Sequence, residues 1–416
     1  MNKYIGFKCS LCGEEYQPGQ VEYLCPADGG NLDVIMDLDR IRKEFSPDTA
    51  VFERDQSLWR YLPLLPVDDP GGLATPLRAA GMTPVFSLDR LARRVGIDQL
   101  WVKDESRNPT ASFKDRASAV VVARARQTNA KIVVTASTGN AGAALAGMSA
   151  AVGQEAVIFA PRTAPAAKVA QLLVFGAKVI LVDGNYDQAF DLSTQAAEEF
   201  GWYCRNTGYN PFTAEGKKTA AYEIWEWMGT AFQPSSNPAP LNVFVSVGDG
   251  NIISGIHKGF KDLLALGWLE QMPRLFGVQA QGSAAIANAF FAGDERIIPV
   301  SADTLADSIS VDLPRDGVRA VRAARQTGGQ YLLVSDQEIL DAIPALGASG
   351  VFAEPAGATA YAGLVKAIQQ GHIYPHERVL VLNTGSGLKD VRAAMQAVPE
   401  ALVIEPTLQA LKRVLQ

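Results

Sequence analysis

The sequence predicts an α/β protein with two lobes of open, parallel βαβ sheet and a small ribbon ahead of them. Three observations carry that reading. From about residue 99 onward, short apolar runs alternate with longer alanine-rich segments of helical pattern. Strands that are apolar throughout are those buried on both faces, and helices of this length between them imply parallel crossovers. The 416 residues, 48% of them hydrophobic, are enough for two or three domains with a sizeable core.

The ribbon comes first. Cys9, Cys12 and Cys25 crowd the N-terminus while Cys204 stands alone, a distribution that argues against a disulfide framework. Cys9 and Cys12 form a C-x2-C knuckle. Cys25 opens a second one, in which Asp28 stands where a four-thiolate zinc ribbon would carry its last cysteine. Zinc accepts mixed ligands, but structural sites prefer thiolate and imidazole, and no histidine is near in the sequence. Zinc on Cys9, Cys12, Cys25 and Asp28 is thus one reading, and a metal-free hairpin is the favoured one. The mixed stretch 32–65 and the turn at 68–72 read as an extended arm leading into the body.

In the body, strands are expected at 100–103, 132–135, 156–160, 179–182, 243–247, 275–278 and 379–382. Helices are expected at 114–126, 141–151, 166–175 and 187–200. Residues 233–242 read as a surface connection, 297–330 as irregular, and Cys204 as a buried strand residue. Ligand is expected in the cleft at the carboxyl ends of the strands. A net charge of -6 without a Lys/Arg-rich stretch offers no footprint for nucleic acid. No apolar run approaches the ~18 residues of a membrane span, and the N-terminus carries no secretion signal. The expectation is a cytoplasmic protein whose partner is a small molecule.

Four Gly- or Ser-rich segments fall where a strand hands over to a helix and presents free backbone amides. Ser137, Thr138, Gly139 and Asn140 suit a carboxylate, or simply cap a helix. In Val247-Gly-Asp-Gly-Asn251, Gly248 and Gly250 let the backbone fold around a phosphate, although the segment is neither a Walker A sequence nor G-x-G-x-x-G. Asp249 is then expected to turn away and cap the helix. Lys114, after Asn108-Pro-Thr-Ala-Ser-Phe, opposes the dipole of the helix it starts, which a purely structural sequence would rarely choose. Thr384 ends a strand in another glycine turn. His257, His372 and His376 include no HExxH and accompany no G-x-S-x-G, so zinc and serine hydrolase readings have no anchor.

Taken in order, Asn-Pro-Thr-Ala-Ser-Phe-Lys114-Asp-Arg, Ser137-Thr-Gly-Asn, Asn210-Pro-Phe-Thr-Ala-Glu-Gly-Lys-Lys-Thr219, Gly248-Asp-Gly-Asn and Thr384-Gly-Ser-Gly-Leu-Lys-Asp resemble threonine synthase and its relatives. These are pyridoxal-phosphate enzymes with the tryptophan synthase β-like fold, fold type II. The resemblance covers nearly the whole chain, and the cysteine ribbon is similar to one found in many members. It implies a ribbon at 1–38, a larger α/β domain from 39–110 and 207–396, a smaller one at 111–206 and a tail at 397–416. It also implies that Lys114 carries the cofactor in imine linkage and, once freed, acts as base at Cα. Val247, Gly248, Asp249, Gly250 and Asn251 would cradle the cofactor phosphate, Asn140 would bond the ring hydroxyl, and Thr384 would face the pyridine nitrogen. Ser137, Thr138, Gly139 and Asn140 would hold the substrate carboxylate.

Departures cluster on the expected substrate side. Thr213 stands where the family usually has an arginine for the substrate phosphate, Ser386 replaces a histidine, and Ala141 a threonine. Lys217 or Lys218 would compensate at Thr213 as point charges. The implied activity is elimination of phosphate from O-phosphohomoserine with addition of water to give threonine. The alternatives are a paralogue acting on another amino acid, such as a threonine or diaminopropionate ammonia-lyase or a cysteate synthase-like enzyme, or a non-catalytic binding protein of the same fold. Retention of Lys114 speaks against the last. A homodimer is possible.

Overall fold

A computed structural model describes residues 3–48, 55–71, 74–164, 166–232 and 240–415. In chain order the strands are β1 (Tyr4–Cys9), β2 (Glu15–Tyr16), β3 (Leu32–Met36), β4 (Val85–Ser87), β5 (Gln99–Asp104), β6 (Ile132–Ala136) and β7 (Glu155–Pro161). They continue with β8 (Lys178–Val182), β9 (Tyr203–Cys204), β10 (Asn242–Ser246), β11 (Arg274–Ala280), β12 (Tyr331–Val334) and β13 (Arg378–Asn383). They form three sheets: an antiparallel ribbon β2-β1-β3, a six-stranded sheet β12-β11-β10-β13-β5-β4, and a four-stranded sheet β8-β7-β6-β9. Every pairing in the two larger sheets is parallel except that of β4 with β5.

The central strand β10 shows why continuous apolar runs end up here. All five of its residues are buried. Val243 and Val245 enter one core with Ile253 and Ile256 of the helix Asn251–Leu266, whereas Phe244 enters a second core with Ala360 and Leu364 of the helix Pro355–Gln369. Alternate side chains thus meet helices on opposite faces, and a polar residue on either face would be stranded.

Several expectations need correction. The stretch 32–65 is not an extended arm: it supplies β3, the helix Leu38–Glu44 and the 3-10 turns Leu58–Leu64. Leu58, Trp59, Tyr61, Leu64 and Leu65 are buried, so their apolar content outweighs the proline punctuation, and Pro63 sits inside the 3-10 segment. The region 297–330 contains the helix Gly317–Gln326, and the tail contains the helix Leu408–Leu415. Strand β4, three residues long, was too short to stand out as a run, while β12, a four-residue apolar run, was not read although it matches others in length. Residues 49–54 of the supposed arm, Gly72 of the turn, and 233–239 of the surface connection lie outside the described residues. No helix among the described residues is long and apolar enough to cross a membrane.

Behind the cleft lies a buried charge network. The Arg116 guanidinium reaches Glu105 at 2.7 Å and Glu223 at 2.5 Å, and Lys103 reaches Glu223 at 2.7 Å. It ties β5 and the helix Lys114–Gln127 to the helix Thr219–Ala231. Such a network fixes geometry more than it adds stability, because desolvation offsets much of the Coulomb gain.

Candidate active site

The loops that follow β6, β10 and β13 meet the start of the helix Lys114–Gln127 around a cavity of 370 Å³. Lys114 is held there by its own turn. Ala111 adopts a left-handed φ of 63°, and the Asp115 carboxylate accepts from the Thr110 hydroxyl and from its N–H at 2.6 Å. The Phe113 N–H donates to Thr384 O at 2.9 Å and the Ser386 N–H to Ala111 O at 3.1 Å, so the lysine-bearing turn is bolted to the loop after β13. Burial lowers the Lys114 amine to about 8, and the Arg205 charge pushes the same way, against Asp249 and Glu354. A neutral, nucleophilic fraction is therefore present near pH 7.

The loop after β10 forms the far wall. Gly250 has a φ of 90°, and a Cβ on it would lie 2.6 Å from Asp316 O. A Cβ on Gly248 would lie 2.8 Å from Ile309 Cα. Both positions thus require glycine, and this loop lines the cavity at the start of the helix Asn251–Leu266, where the first turn of a helix leaves its amides without intrahelical partners. Contrary to the expectation from sequence, Asp249 does not cap that helix, whose N-cap position is Gly250. Its carboxylate accepts from the Arg315 N–H at 3.3 Å, and burial raises its pKa.

Ser137, Thr138, Gly139 and Asn140 also line the cavity, at the start of the helix Asn140–Ala150. Asn140 Nδ2 donates to Glu354 Oε1 at 2.7 Å. Glu354, the residue before Pro355 at a helix start, is buried, which raises its carboxyl to about 7. Thr384 lies 3.5 Å, hydroxyl to hydroxyl, from Ser246 at the end of β10.

The two cations at the cavity's side differ in their visibility from sequence. Lys217 was anticipated, and its Nζ donates to Asn251 Oδ1 at 2.5 Å; burial, Lys114 and Arg205 push its pKa well down. Arg205 was missed. It follows β9, is fully buried, and its guanidinium donates from Nε to Ser118 Oγ at 3.2 Å and from Nη1 to Thr207 Oγ1 at 2.6 Å. Its Nη2 has no hydrogen-bond partner among the described residues, and burial lowers its pKa to about 10. The one signal that could have found it is a charged residue at the carboxyl end of the apolar Trp202-Tyr-Cys.

Thr213, by contrast, is buried beneath the cavity floor rather than among its lining residues. Its hydroxyl donates to Asn210 O at 2.7 Å and lies 3.2 Å from Asn251 Oδ1. Lys218 is paired with Glu215 at 2.6 Å and Asp262 at 2.9 Å, away from the cavity. Ala141 lines the cavity, while Ser386 caps a 3-10 turn through Leu388 N–H. Cys9, Cys12, Cys25 and Asp28 gather in the ribbon, remote from this site.

A tight glycine loop at a helix start and a buried lysine of lowered pKa fit an anionic aldehyde cofactor such as pyridoxal phosphate, and the comparisons agree. The chain belongs to the family described as pyridoxal-phosphate dependent enzyme, whose model matches residues 77–385. It is a pyridoxal-phosphate-dependent lyase, and its relatives include threonine synthases. That of Methanocaldococcus jannaschii is 38% identical over 98% of this chain and 99% of its own. That of Methanosarcina acetivorans is 36% identical over 97% of each. Among solved structures, diaminopropionate ammonia lyase from Escherichia coli covers 85% of this chain and 94% of its own, with a TM-score of 0.66 at 21% identity. Processed threonine deaminase isoform 2 from Solanum lycopersicum gives 0.65 at 22%, over 83% and 89%. At these identities the structural likeness bears on the fold alone.

Proposed function

We propose that the chain eliminates phosphate from O-phosphohomoserine and adds water to give threonine. The observation that carries this is Arg205, a fully buried guanidinium on the cavity wall with no carboxylate partner among the described residues. An uncompensated buried charge is costly, and an anionic ligand is what repays it. Arg205 would then take over the role of the arginine that the family places at the position of Thr213.

The other roles follow from position. When bound, pyridoxal phosphate withdraws electrons from the substrate Cα and so acidifies the proton there. Lys114 Nζ carries the cofactor, and its lowered pKa suits it to hold and return that proton once free. Residues 247–251 hold the cofactor phosphate with backbone amides, and Ser137 to Asn140 orient the substrate carboxylate. Glu354 fixes the Asn140 amide. Thr384 meets the ring nitrogen with a hydroxyl, which does not require a protonated ring. The small-molecule substrate and the cytoplasm as its place of action belong to the same reading.

A hydrogen bond to a charged group contributes about 1.5 to 3 kcal/mol, roughly ten- to a hundredfold in binding. Arg205→Leu should therefore lower kcat/KM for O-phosphohomoserine by about that factor, while Arg205→Lys retains part of it. Holoenzyme absorbance of the cofactor, compared between variants, shows that the fold and the cofactor are retained. If Arg205→Leu with full cofactor turns over O-phosphohomoserine like wild type, the assignment of Arg205 fails.

A further inference from the structure

The ribbon carries a site that the catalytic reading does not use. Its two turns repeat one geometry. Gly13 N–H donates to Cys9 O at 3.2 Å, and Gly29 N–H donates to Cys25 O at 2.8 Å, each closed by a glycine in the left-handed region, at φ 79° and 70°. Cys12 is the fourth residue of the first turn, and Asp28 is the fourth of the second. The carboxylate thus occupies the place that a fourth cysteine would fill.

The donor atoms converge. Cys12 Sγ lies 3.8 Å from Cys25 Sγ, and Cys9 Sγ lies 3.3 and 3.5 Å from the two oxygens of Asp28. One donor atom from each residue falls within 4.8 Å of the others. A tetrahedral zinc with bonds of about 2.3 Å to sulfur and about 2.0 Å to oxygen sets edges of roughly 3.8 Å between sulfurs and roughly 3.5 Å from sulfur to oxygen. The surrounding hydrogen bonds orient the donors. Asp28 accepts from Gly30 N–H at 2.8 Å and Cys12 N–H at 3.0 Å, and Leu11 N–H points at Cys9 Sγ at 3.3 Å. The Tyr16 hydroxyl lies 3.1 Å from Cys25 Sγ. Such outer contacts fix ligand direction, and each carboxylate oxygen keeps a second lone pair for a metal. Gly30 closes the site: a Cβ there would lie 2.7 Å from Cys9 Sγ and 2.9 Å from Asp28 Oδ1.

We infer that Cys9, Cys12, Cys25 and Asp28 bind one zinc ion in a closed, structural three-sulfur, one-oxygen shell, each bound thiol giving up its proton. The ion organises more than the ribbon. Asn31, next to Gly30, donates to Gly208 O at 2.5 Å and Arg315 O at 3.0 Å, and Arg315 N–H holds Asp249 of the glycine cradle.

The test uses full-length holoenzyme prepared under reducing conditions without added metal. Elemental analysis should find one zinc per chain, and X-ray absorption at the zinc edge should find three sulfurs at about 2.3 Å and one oxygen at about 2.0 Å. Asp28→Ala should lose zinc to a chelator about tenfold faster or more. Asp28→Cys should keep one zinc with four sulfurs, and unchanged cofactor absorbance shows that the variants are folded. A chain that holds no zinc and takes up none would overturn the inference. So would a Cys12–Cys25 disulfide in the reduced preparation, or Asp28→Ala with unaltered zinc content, release rate and shell.

Discussion

Lys114 shows how a single residue's chemistry is set by its surroundings. Burial is the larger cause of its lowered pKa and Arg205 the next, so the two residues are electrostatically linked across the cavity. Covalent loading of pyridoxal phosphate into apoprotein needs the neutral amine, so its rate should rise with pH through about 8. In Arg205→Leu the opposing charge is gone and the midpoint should move upward, toward the ordinary lysine value. Stopped-flow loading measured across pH checks this; an unmoved or lowered midpoint contradicts the linkage. Lys114, Gly248, Gly250 and Thr384 were legible in the sequence because each sits in a short motif at a helix start or a strand end, where its position is set locally. Arg205 and Glu354 were not, because what defines them is burial against groups far along the chain. Thr213 was legible as a departure, but its orientation toward Asn251 was not.

At the scale of the element, the helix Asn251–Leu266 combines the glycine cradle at its start with a buried histidine in its body. His257 is buried, its Nε2 has no hydrogen-bond partner among the described residues, and burial together with Lys261 lowers its pKa to about 3, against Asp33. The unfolded chain binds this proton near pH 6.5, whereas the folded one resists it until about pH 3. The native state is therefore fully favoured by this group above pH 6.5 and loses up to about 1.4 kcal/mol per pH unit between those values as pH falls. His257→Met should flatten that part of the acid limb, seen as a smaller drop in urea midpoint between pH 7 and pH 5. An equal drop in both proteins would show that His257 does not contribute. The helix itself was readable from its apolar periodicity. Its partner Gly317–Gln326 was not, because the turn-forming residues around it masked a short helix whose apolar face has meaning only against the helices Asn251–Leu266 and Ala285–Phe291 and β11.

Across the whole molecule, the parallel α/β architecture could be read from alternating apolar runs and helices, while the links between its parts could not. Arg315 joins three of them: its backbone serves Asn31 and Asp249, and its guanidinium reaches Asp187 at 3.2 Å and lies over the Phe190 ring at 4.8 Å. Lys168, on the helix Ala166–Val174, pairs with Asp307 across the cleft. These contacts bring the four-stranded lobe to the rim of the six-stranded one, where, on the proposed function, a closed cavity would exclude water until phosphate has left. On the proposed function, this cavity is built for a phosphorylated amino acid. Holoenzyme supplied separately with O-phosphohomoserine and with threonine, with phosphate, threonine and keto acid followed together, tests it most directly. The enzyme should form phosphate and threonine in equal amounts from O-phosphohomoserine and little keto acid from threonine. Efficient keto acid formation from threonine, with no phosphate released from O-phosphohomoserine, would contradict it.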